Sequence, residues 1–89
     1  MYSVFRTTSF KKKFKKLSTN DKLLVKEVVS LLINNQTLDE KYKDHKLAGN
    51  FKDLRECRVR LDLLLIYQIN NDVLELALVK VGNHNSLFR

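Results

Sequence analysis

The sequence predicts an α+β domain in which a helical hairpin packs against one face of a mostly antiparallel sheet. Three observations carry this expectation. Apolar residues recur at helical spacing from Phe10 to Ile33, and from Leu54 onward the period changes to two. Between these alternating runs, Leu63 to Tyr67 reads LLLIY, apolar at every position, as a central strand covered on both faces would be.

The elements follow in order. Tyr2 to Thr8 is β-branched or aromatic and alternating, which predicts a short first strand. Ser9 offers an N-cap for a helix over Phe10–Leu17, where Phe10, Phe14 and Leu17 form one apolar stripe. Thr19, Asn20 or Asp21 then caps a second helix reaching about Asn34, with Leu24, Val25, Val28, Val29, Leu32 and Ile33 as its buried side. So short a connection predicts an αα-hairpin. The polar stretch 34–50 has no strong period and reads as a long loop, a feature that in small domains is often functional. Three strands complete the order β-α-α-β-β-β: 54–60, 63–69 and 73–81, the last two joined by a tight turn at Asn70-Asn71-Asp72.

Residues 1–89 read as a single domain, with no proline, two glycines and no linker-like segment. The single cysteine, Cys57, excludes an internal disulfide. No signal-peptide pattern opens the chain, and no apolar run approaches the ~18 residues of a membrane span. A reducing cytoplasm is the expected setting, with no membrane partner. The net charge of +7 favours polyanionic partners, either nucleic acid or an acidic protein. Lys11, Lys12, Lys13, Lys15 and Lys16 fill the polar face of the first helix. That face reads equally as a solvated surface or as one that tracks phosphates.

Strand parity assembles a candidate site. Cys57 and Val59 share one face and most simply meet the helices. Glu56 and Arg58 then open toward solvent on the other, where a surface ion pair is the ordinary outcome. Lys80 lies near the end of the last strand, followed by Gly82 and His84 in the terminal VGNHNSLF. A turn at Gly82 would fold the tail over the sheet, Leu87 and Phe88 would anchor it, and His84 would reach the solvent-facing side. His45 is alone in the long loop. Two distant histidines and one strand cysteine match no metal-ligand spacing, so neither a metal nor another cofactor is expected. No nucleophile elbow, Gly-rich phosphate loop or Cys-His signature appears. The remaining set suits metal-free RNA cleavage: a base for the 2′-hydroxyl, an acid for the leaving 5′-oxygen, and cations for the phosphorane charge.

The ordered motifs DHKLAGNFKDLRECRVRLDLLLIY and LVKVGNHNSLF resemble the YafQ branch of the RelE/ParE toxin superfamily across essentially the whole chain. The family pattern runs D-H-x-L-x-G, then R-[DE]-C-H, a further aspartate, L-L-I-Y, and a closing G-[ST]-H-x-x-L-F. The resemblance implies a type II toxin, an endoribonuclease that cuts messenger RNA, free or on the ribosome, and a cognate acidic antitoxin that neutralises it. By the same resemblance His45, Glu56, Asp62 and His84 take the family's histidine and acidic positions, and Phe88 its terminal aromatic. Arg58 stands where the family usually has histidine, Leu63 where some relatives carry tryptophan, and Lys80 where relatives often have arginine. His84 and Glu56 are the leading proton-transfer candidates, with acid and base left open. His45 and Asp62 support them, and Arg58 and Lys80 stabilise charge. Two other functions remain in view: a non-enzymatic gyrase inhibitor on the same scaffold, and a plain RNA-binding module.

Overall fold

The computed structural model describes residues 1–49 and 53–87. Its five strands are β1 (Ser3–Arg6), β2 (His45–Lys46), β3 (Arg55–Arg60), β4 (Leu63–Asn70) and β5 (Glu75–Gly82). They form one sheet in the order β1-β5-β4-β3-β2, antiparallel throughout except for the parallel β1–β5 pair. Helices α1 (Thr8–Lys15) and α2 (Thr19–Ile33) follow β1, and a one-turn helix, α3 (His84–Leu87), ends the described chain.

The expected order holds, with two short additions that period analysis cannot detect. Inside the stretch read as a loop lie a 3-10 turn at Glu40–Tyr42 and the two-residue strand β2. Tyr42 is buried there, and the pairing edge of β3 defines β2, since two residues carry no period of their own. The second addition is α3. Asn83 caps it, its Oδ1 accepting from the Ser86 amide at 2.8 Å.

Both helix caps fall earlier than expected. Thr7, not Ser9, caps α1, its Oγ1 accepting from the Phe10 amide at 3.0 Å. The same hydroxyl donates to the Val79 carbonyl at 2.6 Å, so the end of β1 and the start of α1 are fixed by one residue. Ser18, rather than Thr19, Asn20 or Asp21, caps α2 by accepting from the Asp21 amide at 3.1 Å. The Asp21 carboxylate instead receives Arg60 Nε at 2.7 Å and Nη2 at 2.9 Å, tying α2 to the end of β3. This two-pronged pairing holds the Asp21 carboxyl below its ordinary value, chiefly through the hydrogen bond from Arg60.

The helix side of the sheet carries the main core. Phe10, Val25, Val28 and Leu32 pack with Cys57, Val59, Leu65, Tyr67, Leu76 and Leu78. As the apolar LLLIY run implied, β4 is buried on both faces from Leu63 to Tyr67. Its outward side chains Leu64 and Ile66 form a second cluster with Leu87, flanked by Leu47, Leu54 and Val79. A register shift at Val79 keeps Val81 on the helix side, opposite Leu65, while Lys80 faces outward opposite Ile66.

Candidate active site

The outer face of the sheet is built by register. One row of pairing runs His45–Glu56–Ile66–Lys80 across β2, β3, β4 and β5. The next runs Arg58–Leu64–Gly82. Leu64 and Ile66 therefore form an apolar floor with Leu87 laid over it. Glu56, Arg58 and Lys80 rim that floor, Lys80 standing about two strand spacings, ~10 Å, from Glu56.

His45 and Glu56 are the pair the fold brings into contact, His45 Nε2 lying 3.5 Å from Glu56 Oε1. A carbonyl can only accept, so the 2.7 Å contact between His45 Nδ1 and the Lys43 carbonyl makes Nδ1 the donor. Nε2 then faces Glu56, to which it can donate only when the ring carries both protons. Lys43 adopts the left-handed conformation, φ 51°, which turns its carbonyl toward the ring.

The parity argument requires one correction. Glu56 faces outward but is not open to solvent: it retains 9% of its accessible surface, while Arg58 is exposed as expected. Its register neighbours are His45 on one side and the buried Ile66 on the other. Its ion-pair partner is His45 rather than Arg58. Among the described residues, Glu56 Oε2 is buried with no hydrogen-bond donor facing it. A buried carboxylate oxygen in that state carries a desolvation cost that no donor offsets.

His84 opens α3, two residues beyond Gly82, and is exposed. Leu87, buried against Leu64 and Ile66, docks α3 on this face. Gly82 is needed for the approach. A Cβ built there would lie 2.5 Å from Ser86 Oγ and 3.4 Å from Lys13 Cε. That contact also brings Lys13 of α1 beside α3, adding a cation that the sequence placed only in a general lysine cluster. Asp62 occupies the β3–β4 turn with φ 63°. It lies roughly 10 Å or more along the strands from the Glu56 row, and its charge acts on Arg60. The fold does not bring it to the His45–Glu56 pair. Phe88 falls outside the described residues.

The family profile described as "Bacterial toxin of type II toxin-antitoxin system, YafQ" matches residues 2–89. The chain belongs to the YafQ family of bacterial toxins. The mRNA interferase toxin YafQ of Escherichia coli K12 is 38% identical over 65 residues, which span 72% of this chain and 68% of that one. A metal-bound toxin from Helicobacter pylori superposes with a TM-score of 0.90 at 43% identity, covering 99% of this chain and 100% of that structure. The YafQ chain of an E. coli DinJ–YafQ complex gives 0.81 at 28% identity, covering all of both chains.

This YafQ-family chain has a buried thiol in Cys57, pushed up to about 12 by desolvation and by neighbouring Asp44 and Glu56, so it is protonated and inert. Among the described residues, no three His, Cys, Asp or Glu side chains converge as a metal site would require. Nor does any described helix have the length and apolarity to cross a membrane. Sequence reasoning missed the support behind His45. Arg55 and Tyr67, register partners on the helix side, both hydrogen-bond to Asp44. All three residues were visible within the D-H, R-E-C and L-L-I-Y motifs, but only the pairing of strands brings them together.

Proposed function

We propose that this toxin cleaves messenger RNA through general acid–base attack of the ribose 2′-hydroxyl on the outer face of the sheet. The observation that carries the reading is the His45–Glu56 contact with an unpaired, buried Glu56 oxygen beside it. Glu56 takes the 2′-hydroxyl proton and the 2′-oxygen bonds to phosphorus. As the P–O5′ bond breaks, His84 protonates the departing 5′-oxygen. The products are a 2′,3′-cyclic phosphate and a 5′-hydroxyl. His45, protonated at both ring nitrogens, donates from Nε2 to orient Glu56, and Arg58 and Lys80 stabilise the charge on the non-bridging oxygens. Lys80 does so as a point charge, without arginine's planar fork. Leu87 holds α3, and with it His84, against the outer face. Asp62 acts at the turn, on the placement of β3 and β4 rather than on a proton.

The relatives named mRNA interferase toxins support the substrate, and the DinJ–YafQ complex supports a cognate antitoxin partner. With a net charge of +7, this chain favours an acidic antitoxin segment over its basic face. The work of the toxin then falls in the cytoplasm, on messenger RNA read by ribosomes.

The test is cleavage of RNA, free and on programmed ribosomes, in the presence of a chelator. Glu56→Gln and His84→Ala should each lose about 10²–10⁴-fold in rate. A substrate with sulfur in place of the 5′-oxygen has a leaving group that needs no proton. It should restore His84→Ala and leave Glu56→Gln impaired. Equal cleavage by wild type and Glu56→Gln overturns the proposal, as does loss of DNA supercoiling with translation intact, which marks a gyrase inhibitor.

A further inference from the structure

The residue before His45 is held more firmly than His45 itself. The Asp44 carboxylate accepts from Arg55 Nε at 3.3 Å, from Arg55 Nη2 at 2.9 Å, and from the Tyr67 hydroxyl. These donors come from two adjacent strands, β3 and β4, and Tyr67 retains only 1% of its accessible surface. Burial and the Asp44 carboxylate push the Tyr67 hydroxyl up, so it remains a donor. Asp44 in turn raises Arg55. The network lies on the helix side of the sheet, whereas Glu56, one residue after Arg55, faces outward.

On one side of Asp44, Lys43 is left-handed, a conformation strained for a non-glycine residue that persists where its surroundings enforce it. On the other side, His45 opens β2 directly opposite Glu56. The Lys43 carbonyl reaches His45 Nδ1 only while the backbone of 43–45 keeps this shape. Fixing Asp44 to two core-bound side chains fixes that backbone.

We propose that Asp44, gripped by Arg55 and Tyr67, is a positioning residue that sets the tautomer and orientation of His45 toward Glu56. The proposal rests on the reading that the His45–Glu56 pair serves the chemistry. It differs from a purely structural role in what it predicts for His45. Freed from Arg55, the 43–45 backbone relaxes, the Nδ1–carbonyl bond is lost, and Nε2 no longer points at the carboxylate.

The test uses the full chain with Asp44→Asn, and Tyr67→Phe as the milder variant that removes one hydroxyl. Nitrogen NMR of the histidines, at a pH where the rings are neutral, should show His45 protonated at Nδ1 in the wild type and shifted toward Nε2 in Asp44→Asn. Cleavage assays should show kcat lower by about 100-fold in Asp44→Asn, the scale of an ångström's misplacement, with KM changed less than about threefold. Tyr67→Phe should move both readouts the same way by a smaller amount. In a His45→Ala background, Asp44→Asn should cost no more than about twofold, because both changes remove one function. An unchanged His45 tautomer in Asp44→Asn overturns the proposal, as do losses at 44 and 45 that simply multiply. The NMR readout needs no RNA, so a tautomer shift in a protein that cleaves nothing would refute the nuclease reading and leave the positioning role standing.

Discussion

Leu87→Ala isolates the link between the end of the chain and the site. Leu87 is buried, retaining 7% of its accessible surface, against Leu64 and Ile66 on the outer face. Burying a leucine is worth about 2 kcal/mol, and about 1.4 kcal/mol is a factor of ten. Truncation should therefore weaken docking of α3 by about 30-fold. Because α3 is a single terminal turn, the loss should appear as local undocking rather than global unfolding. The main core, on the opposite face, is untouched. Two measurements check this together. The Leu87 amide, which donates to the Asn83 carbonyl at 3.1 Å, should exchange with solvent faster by up to the same factor. RNA cleavage should fall toward the rate of His84→Ala and no lower, since an undocked tail removes that histidine. Leu87→Met, which conserves volume, should retain most of the activity. If Leu87→Ala loses amide protection yet cleaves at the wild-type rate, the docked tail has no part in catalysis and His84 is misassigned.

Further predictions concern other supports of the site. Gly82→Ala should impair cleavage, because its Cβ would lie 2.5 Å from Ser86 Oγ; adding Ser86→Ala should recover part of the loss. Asp21→Asn should lower the melting temperature at neutral pH. The folded Asp21 carboxyl is held low by Arg60, so its stabilisation is fully present above the unfolded value of about 3.9 and is lost as pH falls below that and through the lower folded value. The difference between wild type and Asp21→Asn, followed by thermal melts, should therefore narrow in acid. Arg58→His restores the residue the family pattern carries; if Arg58 only stabilises charge, the variant's cleavage rate should rise as pH falls and its imidazole becomes cationic.

Local physics made much of this protein legible in its sequence. Helical spacing at Phe10 and Val25 to Leu32, alternation along β3 and β5, and the unbroken apolar run of β4 each follow from which faces are buried. The linked motifs likewise pointed to the family. Tertiary structure decided what local period cannot encode. His45 faces Glu56 because a two-residue strand pairs with β3. Glu56 is buried between its register partners, His45 on β2 and Ile66 on β4. Arg60 turns inward to Asp21 where the β3–β4 register shifts. Asp44, Arg55 and Tyr67 are far apart along the chain, and only the pairing of β3 with β4 and the turn at Lys43 bring them together. Side-chain period says which way a residue points. Register says what it meets, and register is settled by the whole sheet at once.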